Sequence, residues 1–241
     1  MKTLLLAAAA ATLATSAMAQ DVVRMGTEGA YPPYNFINDD GEIDGFEREV
    51  GDELCTRAEL TCEWVSNDWD SIIPNLTSGN YDTIIAGMSI TAERDEVIDF
   101  TDPYFPPAAS AYASTMDMDP MSADAVVAAQ TNTIQAAHVA ESGATLLEFA
   151  TPDEAVAAVR NGEADAIFAD KDFLVPIVDE DSDMSFVGED VALGDGIGIG
   201  LRESDDELEA TFNEAIASMK EDGTLNTMIT EWFGEDAITF E

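Results

Sequence analysis

Apolar residues recur along this 241-residue chain in two alternating patterns, short β-like runs and repeats of helical spacing. Residues 22–25, largely apolar, read as a first strand and lead into a polar, aromatic segment over residues 26–36. Asp39-Asp-Gly41 marks a hairpin turn. Phe46, Val50, Leu54 and Ala58 then fall four residues apart, which predicts an amphipathic helix over 46–58. A short strand at 63–65 follows, then a helix over 70–78 with Ile72, Ile73 and Leu76 inward, then an apolar strand at 83–87. Strand alternating with helix predicts a parallel sheet with helices on its faces.

The rhythm begins again further on. Residues 126–129 read as a strand and 133–141 as a helix. Thr151-Pro-Asp-Glu154 is a capping box with proline at the first helical position, opening a helix with Ala155, Val156 and Val159 on one face. Residues 164–169 form the next strand. Between the two series lie an extended Pro/Ala segment, residues 103–114, and an acidic, Met-rich loop to Ser122. A return crossing is predicted at Gly194-Asp-Gly-Ile-Gly-Ile-Gly200, where alternate glycines suit a bent or closely approached strand. Their spacing does not match the dinucleotide-binding G-x-G-x-x-G pattern. Ser204 to Glu207 is a second capping box before a helix carrying Leu208, Phe212 and Ile216. Gly223 stops that helix, and a last one carries Leu225, Met228, Ile229 and Trp232. Two α/β lobes joined by two crossings describe a hinged clamshell: residues 20–109 with 196–241 form lobe one, and 110–195 lobe two.

The N-terminus adds a compartment. Lys2, the apolar run from Leu4 to Leu13 and Ala17-Met-Ala19 form the three parts of a cleavable secretory signal, residues 1–19, with cleavage before Gln20. No lipobox cysteine is present, so the product is expected free in the periplasm. Fifty acidic residues against nine basic ones give a net charge of −41. That surface repels nucleic acid and anionic lipid. It suits salty surroundings or steers a cationic ligand, although steering is screened beyond about 8–10 Å at physiological salt. The two cysteines, Cys55 and Cys62, read in an exported chain as one disulfide closing a small loop. The competing metal site and cysteine catalysis both lack a nearby histidine, because the single one, His138, lies far off in an alanine-rich helical stretch.

Several segments carry a more specific likeness. They are Gly26 to Phe36 (Gly-Thr-Glu-Gly-Ala-Tyr-Pro-Pro-Tyr-Asn-Phe), Gly45-Phe-Glu47, Trp69 to Leu76 (Trp-Asp-Ser-Ile-Ile-Pro-Asn-Leu) and Ala86 to Arg94 (Ala-Gly-Met-Ser-Ile-Thr-Ala-Glu-Arg). Ile98 to Tyr104, Gln130 to Gln135, Asn161 to Ala166 followed by Asp170, and Glu231-Trp-Phe-Gly234 continue the series. In this order, across essentially the whole mature length, they resemble the periplasmic binding proteins of polar and basic amino-acid ABC importers. The resemblance implies a type II-like periplasmic-binding-protein clamshell, a monomer without cofactor, that hands a free L-amino acid to a membrane ABC permease. The Cys55 to Cys62 spacing also looks like the disulfide of the lysine/arginine/ornithine and histidine binders.

What the resemblance implies about the site follows from the ligand. A free amino acid presents a carboxylate and an ammonium, and both must be paired once water is excluded. Arg94 offers two parallel donors to the carboxylate, with Ser89 and the backbone N–H groups near Gly87 and Ser89 beside it. Thr133 stands at a predicted helix start, which favours an anion. Asp170 matches the aspartate that accepts the α-ammonium. Tyr31 and Trp69 flank the side chain, and Glu28 stands where basic-amino-acid binders pair the ligand's cationic end. Asn132 replaces the glycine of many relatives. Arginine, lysine, ornithine or histidine is therefore the expected ligand. Ala86-Gly87 keeps glutamine, another polar amino acid or an opine open. Two other classes stand beside binding for transport: an enzyme of the cyclohexadienyl dehydratase type with Glu28 as its acid, and a sensory module.

Overall fold

The computed structural model describes residues 22–241. The predicted signal, residues 1–19, lies outside the described residues. The chain opens with β1 (Val22–Thr27), followed by three short antiparallel strands, β2 (Ala30–Tyr31), β3 (Asn35–Ile37) and β4 (Ile43–Asp44), and by α1 (Phe46–Arg57). Next come β5 (Thr61–Ser66), a 3₁₀ turn at Trp69–Ser71, α2 (Ile72–Thr77), β6 (Thr83–Ile84) and β7 (Asp99–Phe100). The second series comprises β8 (Ala109–Ser114), β9 (Val126–Gln130), α3 (Ile134–Ser142), β10 (Thr145–Phe149), α4 (Pro152–Arg160), β11 (Ala166–Asp170), α5 (Lys171–Glu180) and β12 (Ser185–Ala192). The chain returns through β13 (Gly200–Leu201) to α6 (Asp206–Glu221) and α7 (Thr224–Phe233).

Two five-stranded sheets result, ordered β5-β1-β6-β13-β7 and β10-β9-β11-β8-β12. In the first, β13 runs antiparallel to both its neighbours and the other strands share one direction. In the second, β8 is the reversed strand. Each reversed strand is the first one the chain enters after a crossing, so the change of sheet and the change of direction coincide. Phe46, Val50 and Leu54 are fully buried, as their spacing predicts. Thr151 caps α4 with both reciprocal bonds of the capping box in place. The second predicted box does not form: Asp205, not Ser204, precedes α6, and Ser204 Oγ donates to the Asp205 carboxylate instead. β10, β12 and α5 have no counterpart in the sequence-based elements. Among the described residues, no helix is long and apolar enough to cross a membrane.

The crossings lie side by side. The Ile197 N–H donates to the Phe105 carbonyl at 3.0 Å, and the Tyr104 N–H returns a bond to the Ile197 carbonyl at 2.9 Å. A Cβ on Gly196 would stand 2.9 Å from the Phe105 carbonyl oxygen, and its φ is +101°. Close approach of the two crossings therefore requires glycine there.

Cys55 and Cys62 are joined, tying the end of α1 to β5. For so short a loop, chain-entropy arithmetic assigns the crosslink about 2–3 kcal/mol. The Cys55→Ser/Cys62→Ser variant is expected to lose that amount in urea unfolding, with ligand affinity unchanged.

Candidate functional site

A cleft between the two sheets brings together all eight residues singled out in the sequence: Glu28, Tyr31, Trp69, Gly87, Ser89, Arg94, Thr133 and Asp170. Ala86, Gln130, Ile134 and Gln135 complete its wall. About 330 Å³ around it is free of protein atoms, open solvent at the mouth included.

Arg94 reaches the cleft from the 3₁₀ turn after Ala92. Its Nη1 donates to the Ser89 carbonyl at 2.8 Å and its Nη2 to the Asn132 carbonyl, across the cleft, at 3.3 Å. The guanidinium carbon stands 5.5 Å over the Trp69 ring. Arg24, Arg48, Arg57, Arg160 and Arg202 all pair with carboxylates. Among the described residues, Arg94 pairs with none, in a protein with fifty acidic residues. Burial brings its pKa down to about 10, while Asp170 and Glu93 act in the opposite sense. An ordinary surface ion pair is thus ruled out as its role.

Asp170 ends β11 and precedes α5, but its side chain does not cap that helix. Tyr31 Oη donates to Asp170 Oδ2 at 2.8 Å, and Gln135 Nε2 donates to Oδ1 at 3.0 Å. Burial pushes the carboxyl up to about 6, against the Tyr31 hydrogen bond and the Arg94 charge. The Tyr31 ring is stacked on Phe173 at 4.4 Å, so this tyrosine bridges the cleft as well as lining it.

Glu28 follows β1 directly. Gln130 Nε2, at the end of β9, donates to Glu28 Oε1 at 2.7 Å from the other side. Burial pushes the Glu28 carboxyl up to about 7, offset in part by Gln130 and reinforced by Asp68, Asp70 and Glu47.

One expected donor is already occupied. The Gly87 N–H points to Glu47 Oε1 at 2.6 Å and is not available to a ligand carboxylate. Thr133 Oγ1 accepts from the Ala136 N–H at 3.1 Å and donates to the Gln130 carbonyl at 2.6 Å. Its hydroxyl therefore caps α3, and what the site gains there is the helix N-terminus. Asn132 takes the glycine-like conformation at φ 56°, which asparagine tolerates better than most residues. This turns its carbonyl to Arg94. His138 lies on α3 against Phe168, 5.3 Å between ring centres, in keeping with a packing residue.

Sequence reasoning missed Gln130, Ile134 and Gln135 as lining residues. The signal was present, since all three lie in the Gln130 to Gln135 segment, but only Thr133 there was assigned a role.

The chain matches the family model of bacterial extracellular solute-binding proteins, family 3, over residues 23–235. A periplasmic His/Glu/Gln/Arg/opine family-binding protein from Silicibacter pomeroyi, solved in complex with lysine, is 73% identical. It superposes with a TM-score of 0.88 over 90% of this chain and 100% of that one. The arginine-binding periplasmic protein of Mannheimia haemolytica is 31% identical over 91% of this chain and 93% of its own length. The lysine/arginine/ornithine-binding periplasmic protein of Escherichia coli K12 is 31% identical over 88% of each. The fold is the α/β two-lobed architecture of type II periplasmic binding proteins, and the likeness is to transport proteins rather than to enzymes. From a cleft built by two lobes, the shared architecture and the match along nearly all of its described length, it follows that this chain belongs to the family 3 bacterial extracellular solute-binding proteins.

Proposed function

We propose that the protein captures a free basic amino acid, lysine or arginine foremost, in the periplasm and delivers it to a membrane ABC permease. The observation that carries this reading is the charge of the cleft. Of the side chains lining it, Glu28, Asp170 and Arg94 are the charged ones. Two carboxylates and one guanidinium leave one negative charge uncompensated. A zwitterion with a cationic side chain supplies the complement: its carboxylate to Arg94, its α-ammonium to Asp170, its far end to Glu28. Glutamine would satisfy the first two and leave Glu28 facing a neutral amide. The relative from Silicibacter pomeroyi carries lysine, in agreement with this assignment.

Lobe one, residues 20–109 and 196–241, receives the ligand first; rotation about the crossings then brings lobe two, residues 110–195, onto it. Closure is favoured by contacts that the open form lacks, and the Gln130–Glu28, Tyr31–Asp170 and Arg94–Asn132 bonds are of that kind.

Titration calorimetry against the twenty amino acids, ornithine and common opines tests the reading. Lysine and arginine are expected to bind most tightly, and a flat response to every basic amino acid overturns it. Glu28→Gln is expected to weaken lysine at least tenfold, about 1.4 kcal/mol, while leaving glutamine within about threefold of wild type. Equal losses for both ligands would remove Glu28 from the side-chain role.

A further inference from the structure

Glu47, the second residue of α1, is fully buried and does not itself line the cleft. Its carboxylate nevertheless gathers three segments that reach the site or the hinge. Oε1 accepts from the Gly87 N–H at 2.6 Å and from the Tyr104 hydroxyl, which belongs to the first crossing. Oε2 accepts from Asn35 Nδ2 at 2.7 Å, and Asn35 Oδ1 in turn accepts from the Gly29 N–H at 2.7 Å. Gly29 is the neighbour of Glu28, and Asn35 pairs with Tyr31 across the β2–β3 hairpin. A buried carboxylate is costly unless its oxygens are filled, so its donors are held firmly. Its place in the first turn of α1 adds the favourable end of the helix dipole.

We infer that Glu47 is a positioning residue for ligand binding: through Asn35 it fixes the Gly29 amide and hence the Glu28 carboxylate, while the same side chain ties Gly87 and the hinge residue Tyr104. The inference rests on the reading of Glu28 as the group that meets the ligand's cationic end.

The orientation of these bonds supplies a test that separates positioning from folding. In Glu47→Gln, the amide oxygen still serves Gly87 and Tyr104, but the new NH₂ faces Asn35 Nδ2, donor against donor. Asn35 must turn over, and the Gly29 N–H loses its acceptor. Adding Asn35→Asp restores every bond, because the new carboxylate accepts both from the amide introduced at position 47 and from the Gly29 N–H. The single variant is expected to lose at least tenfold in lysine affinity with glutamine affected less than threefold, and E47Q/N35D to recover lysine binding to within about threefold of wild type. Hydrogen–deuterium exchange of peptides covering residues 28–31 is expected to rise in E47Q and fall again in the double variant. Wild-type lysine affinity in E47Q, equal losses for lysine and glutamine, or no recovery in the double variant overturns the inference. If the wild-type protein fails to bind lysine, the basic-ligand reading fails separately. The exchange pattern then decides on its own whether Glu47 holds the Glu28 loop, and unchanged exchange in E47Q refutes it.

Discussion

Arg94→Ala is expected to weaken lysine binding at least a hundredfold, about 2.7 kcal/mol. Removing one member of a buried, hydrogen-bonded ion pair costs about 3–5 kcal/mol, because the other charge is left without a partner. The cleft is not fully sealed, and residual water moderates the loss to just below that range. A second effect adds to the first. Arg94 Nη2 bonds the Asn132 carbonyl across the cleft, so the variant also loses a contact that favours closure. Arg94→Lys should recover little of this, since an ammonium cannot reproduce two parallel donors in a fixed plane. Calorimetric titration with lysine checks both variants, and near-wild-type affinity in Arg94→Ala would exclude it as the carboxylate anchor.

Asp170→Asn is expected to cost about thirtyfold in lysine affinity, about 2 kcal/mol, within the range for a hydrogen bond to a charged group. The substitution keeps the shape and an acceptor but removes the charge that faces the α-ammonium. Stability should move the other way. Burial raises the Asp170 carboxyl to about 6, above its ordinary carboxylate range. A carboxylate raised on folding favours the native state least when both states are ionised, so stability falls as pH rises from the ordinary range through about 6. A neutral amide at this position carries no such penalty. The variant should therefore melt at or above the wild-type temperature at pH 8 while binding poorly, which distinguishes loss of recognition from loss of fold. The same shifts predict that wild-type lysine binding releases protons and strengthens as pH rises from 5 to 8. Asp170, near 6, and Glu28, near 7, must both ionise to receive the ligand's cations. Affinity that is flat across that interval would contradict the proposed charge pairing.

Much of this arrangement was legible in the sequence, for reasons of range. Helices such as α1 and α4 are written in the spacing of a few neighbouring residues, Phe46-Val50-Leu54 or Thr151-Pro152-Glu154, and they form as that spacing predicts. The missed elements lack such a pattern. α5 contains Pro176, which ordinarily argues against a helix interior. In β12, most side chains are exposed on both faces, so it shows no clean alternation of period two. The second capping box failed because α6 starts one residue later than the pattern implies, and the Asp205 carboxylate at its start pairs with Arg202 and accepts from Ser204 instead of capping the helix.

The sequence by itself determined the two α/β series, the family, the cysteine pair and eight residues that share one cleft, because each is carried by short segments whose pattern is local. Only the tertiary structure decided which of the cleft's polar groups are still available. The Gly87 amide is taken by Glu47, forty residues away along the chain. The Thr133 hydroxyl is taken by its own helix and by Gln130. Glu28 meets Gln130 across 102 residues, and Asp170 meets Tyr31 across 139. Arg94 alone among the described arginines lacks a carboxylate partner. A hydrogen bond or ion pair satisfies two groups at once, and its second member can lie anywhere in the chain. Local sequence therefore specifies which groups can bind a ligand, and folding specifies which of them remain free to do so.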